Sequence, residues 1–218
     1  PSLPPGGTVP NPEPAPVVIL QHGIDATHRG VCRSARFLVE AGIAVLRFDW
    51  PRHGKRGSGG FEFLDISNPL KIRDNFRQSY VDLASAVIVV EQLAASLDLL
   101  PMAAPDGVAE LDAERIGYMG ESLGSILGFG YLPFSDRISC IGGTVGGVGL
   151  FHMVDVAITD KLAGFDQATL KGFGYGAEHM IAPGDGVAFV DRLLTNTIPG
   201  TRDERFLLMI EVMDDGTV

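Results

Sequence analysis

One serine stands between two glycines in the segment Gly120-Glu121-Ser122-Leu123-Gly124, which matches the pattern G-x-S-x-G. A serine hydroxyl becomes a nucleophile when a base takes its proton, so it must project from a tight turn that a histidine can reach. Glycines on either side allow such a turn between a strand and a helix. Glycine and serine are also common in ordinary turns, which is the alternative interpretation. With an apolar strand pattern before it and a helical pattern after it, Ser122 is predicted to be the nucleophile of an acyl-transfer reaction.

Such a reaction also needs two backbone N–H groups that stabilise the negative charge developing on the attacked carbonyl oxygen. The first is predicted to come from Leu123, the residue after the nucleophile. The second is predicted to come from Ile24, in the turn His22-Gly23-Ile24 that follows an early strand. The ring of His22 is expected to bond nearby backbone rather than to act as the base.

The third component is a carboxylate that orients the base, and with this type of turn it follows the nucleophile along the chain. Asp214 and Asp215 come directly after the late strand predicted at Phe206 to Val212. Asp215, which precedes a glycine, is predicted to be the acid, and Asp214 is the second choice. A surface Asp-Gly turn is the alternative.

No histidine follows Asp215, so the base has no candidate at the expected place. The five histidines all precede the acid: His22, His28, His53, His152 and His179. His53 is expected to brace the turn in which it lies, and an unusual triad through His152 or His179 is disfavoured. We therefore expect the catalytic histidine about 40 or more residues beyond Val218, after one more helix and strand of ordinary length.

Apolar strands and amphipathic helices alternate along the chain, which predicts an α/β fold with a mostly parallel sheet flanked by helices. The predicted strands are Val17 to Leu20, Ile43 to Phe48, Arg115 to Met119, Arg137 to Ile141 and Phe206 to Val212, and all but Arg115 to Met119 are expected to be buried. The predicted helices are Ser34 to Ala41, a long helix that starts at Pro69 behind the cap Asn68, and Ser125 to Tyr131.

Three regions are distinguished along the chain. Residues 1–16 are predicted to be a proline-rich leader, and residues 17–218 are predicted to form the folded domain, which we expect to be truncated before its catalytic histidine. Between about residues 150 and 204 aromatic residues occur with weak periodicity, which favours a lid or pocket wall inserted before the last strand. An ordinary pair of helices is the alternative for this segment.

The composition argues against several classes of function. A net charge of -10, from 17 Lys and Arg against 27 Asp and Glu, repels nucleic-acid backbones and anionic lipid headgroups. No apolar run approaches the roughly 18 residues of a membrane-spanning helix, so no stable membrane insertion is expected. Cys32 and Cys140 lie far apart and are expected to be small buried hydrophobes, although one disulfide between them stays possible from sequence.

Two further patterns are weighed for cofactor binding. The glycine-rich segment from Gly142 to Gly149 has neither the spacing of a dinucleotide site nor the lysine of a phosphate loop. Asp214 and Asp215 have no histidine or cysteine at metal-ligand spacing. The sequence therefore predicts no cofactor and no metal.

Five segments together resemble the α/β-hydrolase fold: VVILQHG, DWPRHG, RDNFRQSYVDL, GESLG and LLMIEVMDDGTV. More narrowly, they resemble the bacterial extracellular lipases of the virulence-factor type. The most specific pieces are Arg73 to Ser79 and Val81 to Leu83 on the long helix, together with Gly146-Gly147. The resemblance covers nearly the whole chain from Val17 onward.

The resemblance implies a Ser-Asp-His hydrolase of acyl esters or lipids, often exported or held at the cell surface. It carries the nucleophile over to Ser122, the oxyanion donors to Leu123 and Ile24, and the acid to Asp215. Glu121 departs from the histidine usual in those lipases and is associated with some carboxylesterases, and Ser125 stands where a second glycine is common.

The sequence thus predicts a serine hydrolase that cleaves a small-molecule or lipid carboxylic ester, as an esterase or a lipase, through an acyl-enzyme. A peptidase or thioesterase on the same scaffold is the first alternative. A catalytically inactive hydrolase-like binding domain is the second.

Overall fold

The computed structural model describes residues 13–57, 59–65, 67–96, 109–148, 166–195, 197–201 and 205–210. Within them there are five strands, β1 (Ala15–Gln21), β2 (Ala44–Leu46), β3 (Leu111–Glu121), β4 (Ile138–Thr144) and β5 (Phe206–Ile210). They form one sheet in the order β2-β1-β3-β4-β5, and each neighbouring pair is parallel. The predicted parallel α/β architecture is confirmed.

Six helices in the described ranges connect or flank the strands. They are α1 (Cys32–Glu40), α2 (Gly60–Phe63), α3 (Pro69–Ala94), α4 (Leu123–Tyr131), α5 (Gln167–Ile181) and α6 (Asp191–Leu194). The three helices predicted from sequence are present with bounds shifted by a few residues. The predicted cap of the long helix is also confirmed, because the Asn68 side chain accepts a hydrogen bond from the Lys71 N–H at 3.1 Å.

The chain changes direction across the sheet at β1. From β1 it crosses to β2 on one side, and β3 then pairs with β1 on the other side, with Gln21 opposite Gly120. In open parallel sheets, ligands bind beyond the carboxyl ends of strands at such a reversal. The topology therefore favours a site beyond the ends of β1 and β3.

The larger core lies between the sheet and helices α3 and α4. The α3 side chains of Phe76, Leu83, Val87 and Val90 are buried there, as the spacing of its apolar residues predicts. They pack in the same cluster as Ile126 of α4. This packing fixes α4, and with it the turn that precedes α4, against the sheet.

The opposite sheet face is covered by α1 near β1 and β2, where Leu20, Val31, Ala35 and Val45 form a second, smaller core. Strand β5 lies at the end of the strand order and is exposed, with Phe206 at 78% and Leu208 at 61%. The prediction that this strand is buried is wrong for the described residues, within which β5 pairs with β4 alone, and apolar composition does not reveal such a pairing.

The cysteines were also expected to be buried, and that prediction is wrong. Cys32 and Cys140 are both free thiols and both exposed. Cys32 begins α1 on its outer side, where its Sγ accepts a hydrogen bond from Arg47 Nη1 at 2.8 Å. Cys140 pairs with Phe206 of the exposed edge strand.

The described part of the segment between residues 150 and 204 packs on the body of the domain. Ala177, Ile181 and Leu193 are buried. The Tyr80 hydroxyl on α3 donates to the Gly184 carbonyl at 2.7 Å. Helix α5 and the short helical turn after it thus lie against α3, and a lid in this segment stays a prediction. None of the helices in the described ranges is long and apolar enough to cross a bilayer.

Candidate active site

Ser122 lies at the junction that the sequence predicts, between the end of β3 and the start of α4. Its backbone has φ 50° and ψ −116°, which is close to the first central position of a type II′ turn. Its N–H donates to the Thr144 carbonyl of β4 at 2.8 Å, and its carbonyl accepts from the Ile126 N–H at 3.1 Å. The turn is therefore fastened to the sheet on one side and to the helix on the other.

The two glycines that flank Ser122 are required by close packing of backbone. A Cβ added to Gly120 would lie 2.4 Å from the Gly124 carbonyl carbon and 2.5 Å from the Ser125 nitrogen. A Cβ added to Gly124 would lie 2.9 Å from the Gln21 carbonyl oxygen. The G-x-S-x-G spacing thus allows α4 to approach the ends of β3 and β1 more closely than any side chain permits.

Ser125 provides a contact that sequence reasoning missed. Its buried hydroxyl donates to the Gly120 carbonyl at 2.7 Å and accepts from the Thr144 N–H at 3.0 Å. It therefore joins the ends of β3 and β4 to the first turn of α4. Ser125 stands where a second glycine is common, and in this structure its hydroxyl holds the turn in place.

Strained backbone conformations also occur beyond the carboxyl ends of the strands, where Ser122 lies. Among the described residues, four non-glycine residues have positive φ: Asp25 at 57°, Arg52 at 63°, Ser122 at 50° and Val145 at 51°. Each comes shortly after the carboxyl end of a different strand, from β1 to β4 in that order. Such residues cost about 1–3 kcal/mol each and cluster at functional sites. This edge is therefore the candidate active site on grounds independent of the serine motif.

The turn after β1 lies directly against Ser122. A Cβ added to Gly23 would lie 3.2 Å from the Ser122 Cβ and 3.7 Å from its Oγ. Ile24 follows in the same turn, and Leu123 follows Ser122 as the first residue of α4. The first N–H groups of a helix have no partner within the helix. The structure thus brings the segments of both predicted donors to Ser122.

His22 holds the turn through both ring nitrogens. Nδ1 lies 2.7 Å from the Gly23 carbonyl oxygen, which can only accept, and Nε2 accepts from the Trp50 N–H at 3.3 Å. These partners assign the neutral ring with its proton on Nδ1. Gly23 C=O and Ile24 N–H belong to one peptide group, so this bond fixes the orientation of the Ile24 N–H. The expectation that the His22 ring bonds nearby backbone is confirmed.

The environment of His22 opposes its protonation. Burial lowers the pKa of this imidazole, and the nearby His53 adds to that effect, while the bond to Gly23 and the charge of Asp49 oppose it without reversing it. Asp49 Oδ1 lies 3.9 Å from His22 Nε2. The neutral form that the hydrogen bonds require is therefore also the form that the surroundings favour.

We expect this pKa shift to make stability depend on pH. The folded protein disfavours the proton on His22, whereas the unfolded chain accepts it near pH 6.5. The contribution of His22 to the free energy of unfolding is therefore fully present above pH 6.5. It falls as the pH is lowered towards the pKa of His22 in the folded protein, by up to about 1.4 kcal/mol per pH unit. Denaturant unfolding between pH 7.5 and 5 measures this slope. His22→Asn keeps an amide donor without a titratable ring and is expected to flatten it. Equal slopes for the two proteins would contradict the assignment.

The other described histidines are engaged elsewhere or lie at the surface. His28 Nδ1 lies 2.8 Å from Asp49 Oδ1, and His53 Nδ1 lies 2.9 Å from the Pro51 carbonyl oxygen, which agrees with a bracing role for His53. His179 is exposed on α5. Among the described residues no histidine is hydrogen-bonded to Ser122.

The remaining members of the predicted triad stay predictions. Asp215, its second choice Asp214 and His152 lie outside the described residues. No group of three or more histidine, cysteine, aspartate or glutamate residues within the described ranges is placed to hold a metal ion.

No protein-family model and no curated protein matches this sequence. Solved structures do match it. An acetyl xylan esterase from Paenibacillus sp. R4 is 17% identical, superposes with a TM-score of 0.60, and is matched over 99% of this chain and 72% of its own. The α/β-hydrolase GrgF from Penicillium sp. sh18 is 12% identical with a TM-score of 0.52, over 93% of this chain and 83% of its own.

The protein has the α/β-hydrolase fold. A complex of DcsB with its substrate analogue is also similar, at 11% identity and a TM-score of 0.52, over 92% of this chain and 82% of that one. At identities this low the structural similarity establishes only the α/β-hydrolase fold, so the chemistry must be argued from the site itself. In this chain, Ser122 lies in the strand-to-helix turn between β3 and α4.

Proposed function

We propose that the protein is a serine hydrolase that cleaves carboxylic esters through an acyl-enzyme. The observation that carries the proposal is the position of Ser122, in a type II′-like turn with φ 50° between β3 and α4, directly against Gly23 at the end of β1. A strained turn of this kind projects the hydroxyl, and such strain costs stability and is found mainly at functional sites.

In the first half of the reaction, Ser122 Oγ attacks the ester carbonyl carbon and its proton passes to a histidine base. In this scheme Asp215 orients that histidine. The N–H groups of Ile24 and Leu123 stabilise the oxyanion. The tetrahedral intermediate collapses when the histidine returns the proton to the leaving alkoxide, which leaves the acyl group on Oγ.

In the second half, a water molecule gives its proton to the same histidine and attacks the acyl carbonyl. The intermediate collapses, the bond to Oγ breaks, and Oγ recovers the proton as the carboxylic acid departs. This scheme uses no cofactor.

The substrate is proposed to be a small-molecule or lipid ester. An acetyl xylan esterase shares the fold, which supports testing short acetyl esters first. The resemblance to extracellular virulence-factor lipases supports testing esters of long-chain fatty acids as the second substrate class. A preference for long-chain esters would assign a lipase, and a preference for acetyl esters would assign a short-chain esterase.

A fluorophosphonate probe tests the proposal, because it phosphonylates serines that are activated by a base and an oxyanion site. We expect the folded full-length protein to be labelled at Ser122, as mapped by peptide mass spectrometry, and to hydrolyse esters faster than matched thioesters and peptides. Labelling with peptide or thioester preference would instead assign a peptidase or thioesterase. A folded, unlabelled protein would contradict the proposal and favour a binding domain.

A further inference from the structure

A short segment, Gly59 to Phe63, lies across the turn that carries Ile24, and we call it the strap. It contains α2, whose first residue Gly60 donates its N–H to Asp25 Oδ1 at 2.6 Å. A Cβ added to Gly60 would lie 2.3 Å from Ile24 Cγ1 and 2.6 Å from Asp25 Oδ1. The strap backbone therefore touches two consecutive residues of the turn.

The far end of the strap is fixed in the core. Phe63 is buried, and its ring centroid lies 5.5 Å from that of Phe76 on α3. The buried Asn75 side chain of α3 donates to the Phe63 carbonyl at 2.8 Å. Asn75 belongs to the helix segment that sequence analysis singled out, and here that segment holds the strap. The position of the turn is thus coupled to the longest helix of the domain.

The near end of the strap is fixed to the loop after β2. The Gly59 N–H donates to the Arg52 carbonyl at 2.8 Å, and Gly59 itself has φ 121°, a conformation that favours glycine. Arg52 also reaches Glu62 of the strap, with Nη1 and Oε1 3.1 Å apart. A segment held at both ends is a fixed support rather than a loose loop.

We propose that Asp25 is a positioning residue for ester cleavage, acting through its hydrogen bond to Gly60. This inference rests on the proposed function. On one side of Ile24, the His22 ring bonds the carbonyl of the peptide group whose N–H belongs to Ile24. On the other side, the next residue, Asp25, is held through the bond from the Gly60 N–H to its side chain. With both sides fixed, the Ile24 N–H keeps one direction towards the oxyanion, so no reorganisation is needed when charge develops. The Asp25 side chain itself makes no contact with the reacting atoms in this scheme.

The test compares variants that remove or keep the acceptor oxygen. Asp25→Ala and Asp25→Gly delete the carboxylate, and the glycine variant also relieves the positive φ at this position. Asp25→Asn keeps Oδ1 as an acceptor and tolerates the same backbone conformation. Glu40→Ala, which removes an exposed carboxylate of α1, controls for the change in net charge.

We expect the two deletion variants to lower kcat on the best ester about 10- to 100-fold with KM nearly unchanged, because a misdirected oxyanion donor weakens the transition state rather than substrate binding. The affinity for a trifluoromethyl ketone, which forms a serine-bound oxyanion, should fall by a similar factor. Asp25→Asn and Glu40→Ala should stay close to wild type in both measurements.

The outcomes separate this inference from the proposed function. A wild-type protein without labelling or ester hydrolysis defeats the proposed function itself. An active wild type whose Asp25→Gly variant keeps full kcat and inhibitor affinity overturns the role of Asp25 alone. If Asp25→Asn loses as much kcat as Asp25→Gly, the hydrogen-bond explanation is overturned as well. If Asp25→Ala does not fold, Asp25→Gly decides between these outcomes.

Discussion

Replacing Ser122 with alanine is expected to abolish fluorophosphonate labelling and to lower kcat for ester hydrolysis about 10⁴-fold or more. The reason is chemical, because the variant has no oxygen to form the acyl-enzyme. The fold should be retained, since the turn is held by the Ser122 backbone, whose N–H bonds to Thr144 at 2.8 Å and whose carbonyl bonds to Ile126. Activity assays on protein with an unchanged circular dichroism spectrum check this.

The glycine variant at the same position sharpens the prediction. The conformation of Ser122, with φ 50° and ψ −116°, is one that glycine adopts without strain. Relief of that strain is worth about 1–3 kcal/mol, and the greater freedom of glycine in the unfolded chain offsets about 0.5–1 kcal/mol. Ser122→Gly should therefore be inactive and yet about 1 kcal/mol more stable than wild type in denaturant unfolding.

Ser85→Ala is the matched control, because Ser85 lies exposed on α3 and its hydroxyl bonds only within that helix, to the Val81 carbonyl. It should keep both labelling and activity. If Ser122→Gly were both active and no more stable than wild type, neither the nucleophile nor the strain argument would stand.

The centre of the site could be predicted from sequence because its requirements are local. The spacing of Gly120, Ser122 and Gly124 reflects backbone contacts within five residues and with one neighbouring strand. The turn His22-Gly23-Ile24 could be predicted for a related reason, since a buried apolar strand followed closely by a glycine favours a sharp turn at the end of the strand. The alternation of apolar strands with amphipathic helices along the chain then predicts the parallel sheet.

The parts that sequence could not provide depend on contacts between distant segments. The bond from Gly60 to Asp25 spans 35 residues, and nothing in the pattern around either residue indicates it. The role of Ser125 depends on Thr144 lying beside it. The exposure of Phe206 follows from its place at the sheet edge, which composition does not show.

Gly120→Ala is expected to cause the largest loss of stability among single-methyl additions at the site. The new Cβ would lie 2.4–2.6 Å from backbone atoms of Gly124 and Ser125. Backbone in the first turn of a buried helix cannot move aside as a flexible side chain can, so the strain spreads to the contacts of α4. Overpacking typically costs about 1–3 kcal/mol, and a contact with backbone that cannot move aside places this variant at the upper end of that range.

A second contribution adds to the steric one. The Gly120 carbonyl accepts the Ser125 hydroxyl at 2.7 Å, and the same hydroxyl accepts from the Thr144 N–H. A shift of α4 away from a new methyl group would stretch these buried bonds, and each buried polar group left unpaired costs about 1–3 kcal/mol. Denaturant unfolding with linear extrapolation measures the total, and labelling at Ser122 reports the loss of the turn.

Gly176→Ala provides the control with the opposite sign. Gly176 is exposed within α5, and a Cβ added there meets nothing within 4 Å. Alanine favours the helix by about 0.5–1 kcal/mol over glycine, so this variant should be slightly more stable than wild type and equally labelled. The same chemical change then gives opposite effects at the two positions, because only Gly120 lies where α4 approaches β3 too closely for a side chain. A loss below about 1 kcal/mol at Gly120 would mean that the turn yields more easily than overpacked interiors do, and the close-packing explanation of the G-x-S-x-G spacing would fail.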